Sequence, residues 1–214
     1  MTSSAPKDGR DSTPNKVALV ASPHHALGIA LCQYLSAQGV RIVILGADPA
    51  RGGAVCRRLA WQGASASFRY FSPDAGCEEG LYEDLALVYG RIDWLVSFFD
   101  PARIAPAWLS FTDVQIRNLL IPQIESRRRL LRALSPLFPP GTRHVQVCMA
   151  GDGSTAAAAA LMWDRLLARH LSANQIQTRL VNVEGDVEPL DQMPRRPRSI
   201  ERDLANLVDA LESH

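Results

Sequence analysis

The side chains that could move a proton, hold a metal or attack an electrophile are few and scattered. His24 and His25 sit side by side in a predicted loop, and Asp100, Asp152, Ser154 and Thr155 stand in or beside others. An adjacent histidine pair suits a metal or a phosphate, but no Cys, Asp or Glu stands nearby at ligand spacing. The pair therefore reads as part of a surface loop. Ser154 and Thr155 are possible nucleophiles, yet no His/Asp pair accompanies them, and they read better as the N-cap of the Ala-rich stretch that follows. Cys32, Cys56, Cys77 and Cys148 include no CxxC spacing, which points to buried or spare thiols rather than a metal site or disulfides.

The elements that must position these groups alternate along the chain. Lys16–Ala21 (KVALVA) and Arg41–Leu45 (RIVIL) are short apolar runs with the length and β-branching of buried strands. Further strands are predicted at Ser65–Phe71, Asp93–Phe99, His144–Ala150 and Gln177–Val183. Helical spacing is read over Leu27–Gln38, Pro49–Gln62, Gly76–Tyr89, a long stretch within Thr112–Leu137, then Thr155–Leu171 and Ile200–Leu211. Gly39 and Pro49 stand where helix ends and helix starts favour them. Strand–helix alternation of this kind predicts an α/β fold with a doubly wound parallel sheet of about six strands, whose ligands bind beyond the carboxyl ends of the strands.

Composition narrows the function classes. At 214 residues, 47% hydrophobic and 21% charged, the chain suits one domain, expected over residues 16–214 after a polar, flexible tail at 1–15. A net charge of +1 makes no case for nucleic acid or a membrane surface, and no apolar run approaches a membrane span. A cytoplasmic location is expected.

Several segments, in order, resemble the short-chain dehydrogenase/reductase superfamily. VALVASPHHALGIALCQYLSAQG resembles its opening strand, loop and helix, and RIVILGADPARGGAVCRRLAWQG its second strand and helix. GRIDWLVSFFD is similar to its fourth-strand segment, commonly GxIDxLVNNAG. LLRALSPLF and WDRLLARHLSANQIQTRLVNVEGD resemble the ends of the helices on either side of strand five, the latter with strand six. The resemblance spans roughly residues 16–213. It implies a Rossmann-like fold, with the family's seventh strand missing.

The same resemblance shows departures. Of the TGxxxGxG loop only the third glycine, Gly28, is present, with Ser22 and Ala26 at the other two positions and Pro23 removing a donor. The acidic position after strand three falls at Phe71, NNAG becomes Ser97-Phe98-Phe99-Asp100, and PG after strand six becomes Gly185-Asp186. Asp48 lies 20 residues after Gly28, near where a ribose-binding acid belongs, but an Asp before Pro49 is also a good N-cap. The family's catalytic Asn, Ser, Tyr and Lys positions fall at Gln123, Met149, Gly153 and Ala157. There is no Tyr after Tyr89 and no Lys after Lys16.

These departures lead to the expectation of a non-catalytic subunit with no cofactor, in which Gly28 and Asp48 are vestigial. Such a subunit would pair with an active short-chain dehydrogenase/reductase, or with itself, through the two long helices flanking strand five. Leu119, Ile124, Leu130, Leu131 and Leu134 on one helix, and Ala157, Ala160, Leu161 and Leu167 on the other, would form the interface. Arg127, Arg128 and Arg129 are read as a solvated face. The alternatives are an NAD(P)-dependent oxidoreductase with unusual site residues, and a small-molecule sensor or cofactor-free isomerase using the vacated cleft.

Overall fold

A computed structural model of the chain describes residues 16–72, 76–99, 113–150, 177–184 and 198–212. Among these residues six strands form one parallel sheet: β1 (Val17–Ala21), β2 (Arg41–Gly46), β3 (Ala66–Tyr70), β4 (Trp94–Phe99), β5 (Arg143–Ala150) and β6 (Gln177–Glu184). Their spatial order is β3-β2-β1-β4-β5-β6, with every neighbouring pair parallel. This is the doubly wound arrangement expected from the alternating apolar runs, with its reversal of direction between β1 and β4.

The described helices are α1 (Ala26–Ala37), α2 (Pro49–Trp61), α3 (Glu78–Val88), α4 (Asp113–Leu134) and α5 (Arg198–Glu212). A 3-10 turn at Ser135–Leu137 extends α4, where Pro136 cannot continue the α-helical hydrogen bonding. On one face, Leu31 and Leu35 of α1, Val55 and Leu59 of α2, and Leu207 and Leu211 of α5 pack onto Val20, Ile44 and Val96. On the other, Leu81 and Leu85 of α3 join Leu130, Leu131 and Leu134 of α4 over Leu19, Leu45 and Leu95. Burial of β1 on both faces explains why its sequence is continuously apolar rather than alternating.

Local signals set the ends. Gly39 takes φ +77° after α1, and the Gly39 and Val40 amides donate to the carbonyls of Ser36 (2.9 Å) and Leu35 (3.1 Å), closing the last turn. Asp93, buried before β4, accepts from the Val17 amide at 2.9 Å and is paired with Arg91, which pins the amino end of β1 to β4. The predicted tail at 1–15 and the helix at 155–171 lie outside the described residues.

Gly52 of α2 faces the Phe68 ring of β3, and a Cβ there would overlap the ring. Gly52→Ala is therefore expected to destabilise the fold by about 1–3 kcal/mol, although alanine is the better helix former. Urea unfolding measures this, and an unchanged or raised midpoint would contradict the packing.

Candidate functional site

The carboxyl ends of β1 and β4 lie at the point where strand order reverses, the place where open α/β sheets form a crevice. The turn from β1 into α1 lines it. Ser22 has φ 60°, the only non-glycine among the described residues with positive φ. Its amide donates to the Leu45 carbonyl and its carbonyl accepts from the His24 amide, both at 2.9 Å. A serine in this left-handed region costs on the order of 1 kcal/mol. The backbone here takes a conformation that glycine adopts more readily than serine. Gly28 still serves close packing: a Cβ there would stand 2.7 Å from Pro23 Cα.

The two histidines belong to the folded framework, which corrects the surface-loop reading. His25 is buried and is the N-cap of α1, its Nδ1 accepting from the Gly28 amide at 3.1 Å. Its ring meets Phe98 edge-on, with centroids 4.4 Å apart. His24 reaches across to β2, where a Cβ on Gly46 would lie 3.4 Å from its Nε2. Sequence reasoning missed both roles because histidine is an uncommon cap and loop composition gives no direction for a side chain.

Asp48 is the N-cap of α2. Its Oδ1 accepts from the Ala50 (2.9 Å) and Arg51 (3.1 Å) amides, and Oδ2 lies 3.3 Å from Arg51 Nε. Phe71 is buried in the core beside α3, its amide donating to Gly46. Phe98 points into the α1 face, so its ring is core and its contact with the crevice runs through His25.

Under the carboxyl end of β4, on the α4 face, lies a polar group that the sequence did not reveal. Arg127 of α4 donates to Gln146 Oε1 at 2.7 Å and to the Phe98 carbonyl at 3.1 Å. Gln146 in turn donates to the Ser97 carbonyl at 3.1 Å, so its amide is oriented from both sides. Burial lowers the Arg127 guanidinium to about 10, still charged at neutral pH. His144, buried nearby, is pushed down to about 3 by burial and by the charge of Arg127, and is neutral. The arginine run is therefore not one solvated face. Arg128 and Arg129 are exposed and pair with Glu125 and Glu78, each at 2.9 Å, whereas Arg127 turns inward. The Arg129 hydrogen bond holds the Glu78 carboxyl below the usual carboxylate range.

The expected interface needs correction as well. Leu130, Leu131 and Leu134 are buried in this chain's own core, because the apolar stripe of α4 covers the sheet beside α3. Leu119, Gln123 and Ile124 lie in α4 and Met149 in β5, with side chains outside the described set. Asp100, Asp152, Gly153, Ser154, Thr155, Ala157, Ala160, Leu161 and Leu167 lie outside the described residues. Among the described residues no three His, Cys, Asp or Glu side chains are grouped to hold a metal. Cys32, Cys56 and Cys77 are free thiols, Cys32 raised to about 12 by burial. No described helix is long and apolar enough to cross a membrane.

No family model matches the chain, and no curated protein matches it in sequence. Solved structures do. A short-chain dehydrogenase from Burkholderia cenocepacia in complex with NADP superposes with a TM-score of 0.68 at 20% identity, covering 92% of this chain and 90% of that one. A dehydrogenase/reductase from Sinorhizobium meliloti gives 0.64 at 19%, covering 92% and 87%. A metagenomic short-chain oxidoreductase in complex with NADP gives 0.62 at 18%, covering 93% and 92%. This is the short-chain dehydrogenase/reductase fold. The comparison overturns the expectation that the chain is not an enzyme, since these similar structures are named as dehydrogenases, reductases or oxidoreductases.

The turn fits the pyrophosphate half of a dinucleotide in shape. Ser22 takes a left-handed conformation, Gly28 lets α1 start close against Pro23, and helix geometry leaves the Ala26 and Leu27 amides without partners inside α1. Phe71, after β3, is buried, and the Asp48 carboxylate, after β2, is engaged as the cap of α2.

His144 sets an acid limb of stability. Its folded value of about 3 lies below the ordinary 6.5 of an unfolded histidine. Between these values the unfolded chain binds a proton that the folded chain does not, so stability falls as pH falls. His144→Leu is expected to flatten denaturant-measured stability between pH 6 and 4 by up to about 1.4 kcal/mol per pH unit. An unchanged slope would contradict the burial of a neutral imidazole.

Proposed function

We propose that the chain is an NAD(P)-dependent oxidoreductase whose site residues differ from the family's usual set. The observation that carries this reading is Ser22 at φ 60°. A strained turn is kept at the mouth of the crevice, and retained strain of this kind concentrates at functional sites. The NADP complexes among the similar structures support it.

When bound, the nicotinamide ring supplies or accepts a hydride. The chain's own part is to bind and orient. The first-turn amides and the positive end of α1 meet the pyrophosphate. Arg127 adds a fixed positive charge beneath the end of β4. Arg51, at the start of α2 and largely exposed, stands where an arginine suits a ribose 2′-phosphate, which favours NADP(H) over NAD(H). No phenol–lysine pair can relay the proton, since no Tyr follows Tyr89 and no Lys follows Lys16. The proton exchanged with substrate therefore comes from another group or from water.

Thermal unfolding with added NADPH or NADH at matched ionic strength tests the proposal. A saturable rise in Tm is expected, larger for NADPH, reaching about 2.7 kcal/mol of stabilisation at a hundred times Kd. Arg51→Ala should narrow the gap between the two cofactors. No shift with either at millimolar concentration would end the proposal.

A further inference from the structure

At the opposite end of the sheet, the amino ends of β2 and β3 border a half-open pocket of about 330 Å³, within the range of small-ligand sites. With five to six residues per strand, it lies on the order of 17 Å from the crevice. Its lining combines apolar Val40, Ile42 and Ala66 with the hydroxyl-bearing Ser36, Ser65, Ser67 and Tyr89.

Arg41 dominates it. The guanidinium stacks on the Tyr89 ring with Cζ 5.1 Å from the centroid. Its Nε is buried with no hydrogen-bond partner, and Arg41 takes part in none of the ion pairs among the described residues. A cation held partly out of water costs free energy unless something anionic meets it, and a ring face offsets only part of that cost. The surrounding hydroxyls are arranged as donors. Ser36 Oγ accepts from the Ser65 amide at 3.3 Å, which leaves its proton to give. Ser67 Oγ and Tyr89 Oη share a hydrogen bond of 2.6 Å, so one of the two protons is available as well. Among the described residues no carboxylate belongs to the lining. The carbonyls at the end of α1 are engaged by the Gln38, Gly39 and Val40 amides, which moderates the negative end of the helix.

We propose that this pocket binds a small molecule through one oxyanion, a carboxylate or a phosphate, held by Arg41 with Ser36 and the Ser67–Tyr89 pair. The site is separate from the crevice and does not depend on the cofactor reading. Thermal unfolding of the full chain with sodium phosphate or sodium propionate, against sodium chloride at equal ionic strength, tests it. A saturable rise above chloride is expected with at least one probe, and phosphate or propionate acting alone identifies the class of anion. Arg41→Gln should abolish the rise. Ser36→Ala, on the outer turn of α1, should keep the fold and raise the half-saturating concentration about tenfold, as loss of a hydrogen bond to a charged group would. No rise above chloride with either probe, an undiminished rise in Arg41→Gln, or an unchanged half-saturation in Ser36→Ala would overturn the proposal.

Discussion

Gly28 has no side chain, and Pro23 occupies the space a Cβ would need. That close approach brings the start of α1 against the loop leaving β1, and β1 is the strand from which both halves of the sheet extend. With α1 seated there, Leu31 and Leu35 reach the core formed by Val20, Ile44 and Val96, and α5 packs beside α1 on the same face of the sheet. The same contact sets the crevice. It fixes how near the first-turn amides of α1 stand to the ends of β1 and β4, and it leaves Ser22 to absorb the sharp reversal in a left-handed conformation.

Two different chemistries flank this junction. On the α1 side the groups are backbone amides and a helix dipole, with His25 closing the cap and resting on Phe98. On the α4 side a buried guanidinium holds the Phe98 carbonyl and, through Gln146, the Ser97 carbonyl. Phe98 is thus tied by its ring to α1 and by its backbone to α4. A shift of either helix would be felt at the end of β4. Keeping Arg127 charged in such a place while His144 stays neutral is what low-dielectric surroundings and mutual repulsion dictate.

Most of the fold was legible because its signals are local and repeated. Apolar runs such as KVALVA and RIVIL are too short for helices and too continuous for half-exposed strands, and Gly39 and Asp48-Pro49 mark helix ends by conformation and capping. The site was less legible because its features are matters of direction. Leu130, Leu131 and Leu134 form an apolar stripe whichever surface they cover, and in a wound sheet the helix's own strands claim it first. Arg127, Arg128 and Arg129 have the same side chain, and only their position around the helix separates the buried one from its exposed neighbours. The absence of glycine at Ser22 was visible in the sequence, but the glycine-like backbone there was not, since a dihedral angle has no composition.

Hydrogen–deuterium exchange with and without NADPH tests the central claim most directly, because it reads the amides that the turn presents. Binding at the crevice predicts slowed exchange in peptides spanning Ser22–Ile29, with little change at the amino ends of β2 and β3. Unchanged exchange in Ser22–Ile29 under saturating NADPH would contradict the account and show that the turn has kept its shape without its ligand.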